Sequence, residues 1–249
     1  MKALLISSFR YMGNFFIPSL KLGNRKNLTC LFVGYALQDK THIDMCKDVL
    51  RNSLPINKMI DLHKDYKFDD KIDIIFVNGG FTNDLIEKLY KFKQFNKIKN
   101  LVMNNDAIYI GESCGSDYAG DYSNYSLLPD FPTDDNIIKN YGKETYEGFK
   151  FINKLILTHA CKYRVRKLED GSYYRSHYGD QYKSYLKYLK ILKANKIDFE
   201  TIGNNEALLI TDNSYKKLRY DWSKFPIKKL ELTENEKKLK EMVKSRRKG

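Results

Sequence analysis

The stretch that most constrains this chain is Ile108-Tyr-Ile-Gly-Glu-Ser-Cys-Gly-Ser116, an apolar run of strand length ending in Gly111-Glu112-Ser113-Cys114-Gly115. A Gly-x-Ser-x-Gly pattern after a strand reads as a sharp strand-to-helix corner. The glycines relieve crowding there and the serine hydroxyl is lifted clear of the sheet. On this reading Ser113 is a nucleophile. The competing reading is an ordinary Gly/Ser turn after a buried strand, and five residues alone do not separate the two.

The rest of the first half alternates short apolar runs with helical patterns, the signature of a parallel sheet covered on both faces. Lys2–Ser8, Asn27–Ala36 and Asn57–Leu62 read as strands, and Phe9–Leu22 is ambiguous. Thr41 is a plausible N-cap for a helix through Leu50, with Ile43, Cys46, Val49 and Leu50 at helical spacing. Ile72–Val77 is a buried strand that stops at Asn78-Gly79-Gly80, and helices follow over Asn83–Phe92 and Phe95–Met103. Paired glycines between a strand and a helix let backbone N–H groups point into a cleft, which suits a phosphate or a developing oxyanion; a plain tight turn is the alternative.

After Ser113 the stretch Asp117–Asn136 reads as a long loop carrying Asp117, Asp121, Asp130, Asp134 and Asp135. Phe151–Thr158 then reads as a strand that delivers His159 at its C-terminal end, the edge where open α/β sheets place their ligands. A histidine there is a candidate base. Lys162–Gly179 reads as a loop or irregular hairpin. Gln181–Ala194 is a helix whose stripe of Tyr182, Tyr185, Leu186, Leu189 and Leu192 belongs to a core. Ile197–Ile202 and Ala207–Thr211 are strands around Gly203-Asn204-Asn205, with a turn at Asp212-Asn213. Thr233-Glu-Asn-Glu236 is a capping box, so a basic helix is expected over about 233–246. With no repeat and no linker, residues 1–249 read as one α/β domain.

Composition narrows the function classes. No run approaches the roughly 20 apolar residues needed to cross a bilayer, and the apolar start Met1–Ser8 is too short for a secretory signal, so a cytoplasmic protein is expected, with no membrane partner. Cys30, Cys46, Cys114 and Cys161 have no C-x-x-C spacing, so neither a zinc site nor a disulfide framework is indicated. The net charge is +13, but nine basic against four acidic residues sit between Lys228 and Gly249, and the remainder is dispersed. No specific nucleic-acid partner is therefore expected.

Taken in order, these stations resemble the serine-peptidase family that contains dipeptidase E (aspartyl dipeptidase) and cyanophycinase. Four stretches carry the resemblance: Phe76-Val-Asn-Gly-Gly-Phe-Thr-Asn-Asp-Leu85, Tyr109-Ile-Gly-Glu-Ser-Cys-Gly-Ser116, Leu155-Ile-Leu-Thr-His159 and Ile202-Gly-Asn-Asn-Glu-Ala-Leu-Leu-Ile210. It implies a three-layer α/β/α domain with a mostly parallel central sheet, related to class I glutamine amidotransferases, without metal or organic cofactor. It further implies Ser113 as nucleophile, His159 as base and Asp130 as the orienting acid, with Asp134 and Asp135 as alternatives. Gly80 and Cys114 would be the oxyanion donors. Asn78 and Phe81 depart from the family's glycine-rich motif, and the basic segment after His159 departs from its pattern, so aspartyl specificity does not carry over. The substrate would be a small peptide, with Arg164, Arg166 or Arg175 placed to bind a carboxylate. Two rivals stand beside this reading: Cys114 as the nucleophile, and a non-catalytic protein of the same fold that binds an anionic ligand or nucleic acid.

Overall fold

The computed structural model describes residues 1–36, 40–121, 147–167, 173–177, 180–212 and 214–221. In chain order, β1 (Lys2–Ile6) leads into α1 (Phe9–Phe16) and a 3₁₀ turn at Ile17–Leu20. Next come β2 (Leu28–Val33), α2 (Lys40–Ser53), β3 (Ile56–Asp61), β4 (Ile74–Val77), α3 (Thr82–Lys91) and α4 (Phe95–Asn104). β5 (Ile108–Glu112) runs straight into the short α5 (Cys114–Asp117). The second half holds β6 (Leu155–Leu157), β7 (Tyr163–Lys167), β8 (Tyr173–His177) and α6 (Asp180–Ala194). It closes with β9 (Phe199–Thr201), β10 (Glu206–Thr211) and β11 (Ser214–Arg219).

The central sheet has the order β11-β10-β1-β5-β4-β2-β3. Its pairings from β1 through β3 are parallel, and β10 and β11 extend it antiparallel. Strand residues alternate between two cores, as the period-2 pleat requires. Ala3, Leu5, Leu31, Val33, Ile75, Val77 and Tyr109 face one way, onto Leu85 and Leu89 of α3 and Ile98 and Val102 of α4. Leu4, Ile6, Cys30, Phe32, Ile74, Phe76, Ile108 and Ile110 face the other way, onto Phe9, Met12 and Phe16 of α1 and Cys46 and Leu50 of α2. The result is the expected three-layer α/β/α arrangement, and it brings the carboxyl ends of β1, β5 and β4 side by side.

Several local expectations are corrected. The ambiguous Phe9–Leu22 is a helix followed by a 3₁₀ turn, because Phe9, Met12 and Phe16 all turn toward the sheet. The strand before His159 is only Leu155–Leu157 and pairs with β9 in a separate two-stranded sheet. Phe149 and Phe151 are apolar for a different reason: their rings stack at 5.3 Å on each other and pack on Tyr109 beneath the main sheet. Lys162–Gly179 contains a regular antiparallel hairpin, β7 with β8. The buried stripe of α6 is Tyr185, Tyr188, Ile191 and Leu192, whereas Leu186 is exposed, since the helix packs on the small β6–β9 sheet along one side only. Asp117 closes α5 rather than opening a loop, and β11 was not anticipated from sequence. The C-terminal helix at about 233–246 lies outside the described residues. Among the described residues no helix is long and apolar enough to cross a membrane.

The corner after β5 is set by close approach. A Cβ on Gly111 would stand 2.7 Å from the Gly115 carbonyl oxygen, and one on Gly115 would overlap the Val77 carbonyl of the neighbouring strand. α5 therefore lies directly on β4 and β5. Gly115→Ala must push helix and sheet apart and is expected to destabilise the fold by about 3 kcal/mol or more, measured by denaturant unfolding; a loss below about 1 kcal/mol would contradict this packing.

Candidate active site

Ser113 sits between β5 and α5 with φ 48° and ψ −117°, a strained conformation for a side chain with a Cβ. The surroundings hold it there. Its N–H donates to the Ile6 carbonyl of β1 at 2.9 Å, and its own carbonyl accepts the Ser116 and Asp117 N–H groups at 2.7 and 2.9 Å. The buried Ser116 hydroxyl accepts the Ile6 N–H at 2.9 Å and lies 2.7 Å from the Gly111 carbonyl. The Tyr109 hydroxyl donates to the Gly115 carbonyl at 2.6 Å.

His159 arrives just beyond β6, also at positive φ, 58°. Its backbone N–H donates to Ser7 Oγ at 3.1 Å, and Ser7 in turn donates to the Ile202 carbonyl at 2.6 Å. The preceding Thr158 is held by Asp117, which accepts its N–H at 2.9 Å and its hydroxyl at 3.2 Å. The imidazole then meets two side chains: Nε2 lies 2.9 Å from Ser113 Oγ, and Nδ1 lies 2.8 Å from Asn204 Oδ1. The Asn204 amide is oriented by its other end, where Nδ2 donates to the Tyr163 carbonyl at 3.1 Å. With Oδ1 facing the ring, Nδ1 carries the proton and Nε2 is free to accept from the serine. Burial pulls the His159 pKa below its ordinary 6.5, against the opposing pull of the Asn204 hydrogen bond and the Glu112 charge.

The Gly79-Gly80 junction follows β4 and faces the corner. Gly80 has φ 142°, and the amides on either side of it are both held: Gly79 N–H by Glu112 Oε2 at 3.1 Å, Phe81 N–H by the Ala36 carbonyl at 2.7 Å. Cys114 is the first residue of α5, so its N–H has no acceptor within that helix. Its thiol turns down beneath the junction, with Sγ 3.5 Å from the Asn78 carbonyl. Burial, aided by the Asp117 and Glu112 carboxylates, pushes that thiol well above the ordinary range; the Gly115 and Gly80 amides only partly offset this. A thiol so placed is a poor nucleophile.

Glu112, buried beside Ser113, accepts five donors: the Phe9 and Arg10 N–H groups at the start of α1, Gly79 N–H, His42 Nε2 at 3.0 Å and the Cys46 thiol at 3.4 Å. Burial alone would push its carboxyl up, but His42, the Gly79 amide and the Cys46 thiol outweigh it and hold it below its ordinary value. The His42, Cys46 and Glu112 ligand atoms lie within 4.8 Å of one another, a donor set that could hold a metal ion. Arg10 argues for a hydrogen-bond network instead: its guanidinium donates to His42 Nδ1 at 3.2 Å, which leaves the proton on Nε2, aimed at Glu112.

Of the residues expected from sequence, Ser113, His159, Gly80 and Cys114 come together here. Asp130, Asp134 and Asp135 lie outside the described residues, as do the side chains of Arg164 and Arg166. Arg175 stands on β8 with its guanidinium 5.4 Å from the Tyr163 ring. Sequence reasoning passed over Asn204, Glu112 and Asp117 as site residues. The available signals were a carboxylate closing an apolar strand and an Asn in the turn before β10.

The sequence model of peptidase family S51 matches residues 10–218. The chain belongs to peptidase family S51. Membership makes it a serine-type peptidase, a hydrolase. The fold of this S51 chain is similar to the crystal structure of a candidate peptidase E from Listeria monocytogenes EGD-e, with a TM-score of 0.60 at 17% identity over 88% of this chain and 98% of that one. A peptidase from an acI-B1 Actinobacterium aligns at 14% identity over 88% of this chain and 87% of that one, with a TM-score of 0.47. No curated protein matches the chain at the level of sequence.

Asp117 gives this S51 site a titration of its own. Burial raises its pKa from 3.8 to about 7, partly offset by the two Thr158 hydrogen bonds. The folded state thus holds this proton more tightly than the unfolded chain. The stability it contributes is full below 3.8 and is lost as pH rises through about 7. Thermal unfolding of wild type and Asp117→Asn should show wild type losing about 5 °C relative to the variant between about pH 5 and about pH 8. A constant difference would contradict a raised carboxyl.

Proposed function

We propose that the protein hydrolyses amide bonds in small peptides, with Ser113 as nucleophile, His159 as general base and acid, and Asn204 as the group that orients the imidazole. The observation that carries this reading is the unbroken chain from Ser113 Oγ through both ring nitrogens of His159 to Asn204, at 2.9 and 2.8 Å. Ser113 Oγ attacks the substrate carbonyl carbon as its proton passes to His159 Nε2. The carbonyl oxygen becomes an oxyanion, taken by the Cys114 and Gly80 amides. The Gly80 amide, which leans on the Cys114 sulfur, joins the oxyanion as substrate arrives. The C–N bond breaks as Nε2 returns the proton to the leaving amine, and water attacks the acyl-serine by the same route in reverse.

Against a panel of dipeptides and short peptides, Ser113→Ala should reduce kcat below detection. Asn204→Ala should lower kcat by about 10–100-fold, because the ring loses its tautomer and its orientation. Because the His159 pKa is depressed, the acid limb of kcat/KM should fall below pH 6.5; a limb above that value would contradict a buried, neutral base. Hydrolysis that survives Ser113→Ala would sink the serine assignment. A folded wild type that cleaves nothing in the panel would favour a binding protein on this fold.

A further inference from the structure

We infer that Ser7, the buried residue that follows β1, is a positioning residue: its hydroxyl sets where His159 and Asn204 stand relative to Ser113. This deepens the Ser113–His159 reading above and rests on it.

Ser113 and its partner are carried by separate supports. Ser113 stands at the end of β5 in the main sheet, whereas His159 and Asn204 follow β6 and β9 of the small two-stranded sheet. Proton transfer between Oγ and Nε2 requires the two atoms at hydrogen-bond distance, so one sheet must be fixed against the other. The end of β1 does this with two consecutive residues. The Ile6 carbonyl accepts the Ser113 N–H at 2.9 Å, and Ser7 Oγ accepts the His159 N–H at 3.1 Å. The backbones of both reacting residues are thereby referred to the same point of the chain.

The Ser7 hydroxyl also donates to the Ile202 carbonyl at 2.6 Å. That carbonyl accepts the Ala160 N–H at 3.1 Å as well, and Asn204 lies just beyond it in the chain. One hydroxyl therefore joins the segment carrying the imidazole to the segment carrying the amide that meets its Nδ1 at 2.8 Å. Ser7 is 1% exposed, and a buried hydroxyl is costly unless it is hydrogen-bonded. This one is used as donor and acceptor at once. His159 has φ 58°, a conformation uncommon for a residue with a Cβ and kept where the surroundings impose it. The bond to Ser7 acts on that residue's own N–H, next to the torsions that decide where the ring leaves the chain. Asp117 grips the preceding residue, Thr158, from α5. It secures the end of β6, while Ser7 secures the histidine itself.

A hydroxyl that only satisfies its own burial would show the same distances, so the test reads the site as well as stability. Kinetics on the peptide panel and NMR of the full chain are compared for wild type, S7A, S7T and I74V. I74V trims the core at the end of β4 away from the Gly79-Gly80 turn and serves as the control for lost stability. S7A should lower kcat by at least about tenfold with KM within about twofold, and weaken the NOE between the His159 ring and the Ser113 Cβ protons. S7T keeps the hydroxyl and should recover most of both. I74V should change neither. Wild-type kcat in S7A, an unchanged NOE in S7A, or an equal loss of kcat in I74V overturns the inference. If S7A does not fold, S7C, which fills the same space with a weaker hydrogen-bonding group, is read by the same criteria. If the wild type hydrolyses nothing, the peptidase reading falls, and the NOE, which needs no turnover, still decides the role of Ser7.

Discussion

A buried carboxylate is costly unless its lone pairs are satisfied, and in this protein the solution to that problem organises the site. Glu112 draws its donors from three places: the first turn of α1, the side chains of α2 and the turn after β4. The sheet brings the carboxyl ends of β1, β4 and β5 together, and the carboxylate fixes how the segments beyond them lie. Moving α1 or the Gly79-Gly80 turn would strip donors from an ion that has nowhere else to find them. The strained Ser113 corner is held on one side by glycine-to-carbonyl contacts and on the other by this ion.

The central architecture was legible because parallel strands buried on both faces must be continuously apolar. Ile74–Val77 and Ile108–Glu112 could hardly be anything else, and the glycines after them announced where the chain must turn. Legibility fell where one sequence signal has two physical causes. Phe149 and Phe151 are apolar because their rings fill the core below Tyr109, which from sequence resembles a longer strand. Leu186 fits a helical stripe yet faces solvent, because α6 has a partner on one side only.

Within the site, Ser113 and Gly80 were readable because their backbone conformations demand a local pattern. The contact between His159 and Asn204 was not, since it depends on how the β6–β9 sheet brings the turn at Asn204 against a ring 45 residues earlier in the chain. An asparagine there carries no periodic or motif signal; its side-chain amide is turned by donating to the Tyr163 carbonyl of β7. The acids expected to orient the ring, Asp130, Asp134 and Asp135, lie outside the described residues, and an amide turned the right way favours the same tautomer. Glu112 was hidden for the opposite reason: it stood in plain view inside the motif, in the position that the pattern leaves free.

The two buried carboxylates beside the corner are driven in opposite directions by their surroundings. Asp117 accepts from a single residue, Thr158, so burial dominates and its pKa rises to about 7. Glu112 meets amides, an imidazole and a thiol, so the same burial is overcome and it stays charged. Two like charges so near the His159 imidazole would pull its pKa upward together. Keeping one carboxylate reluctant to ionise and the other committed to it limits that pull. The first then serves mainly to hold the chain at Thr158, while the second ties α1, α2 and the turn after β4 to the corner.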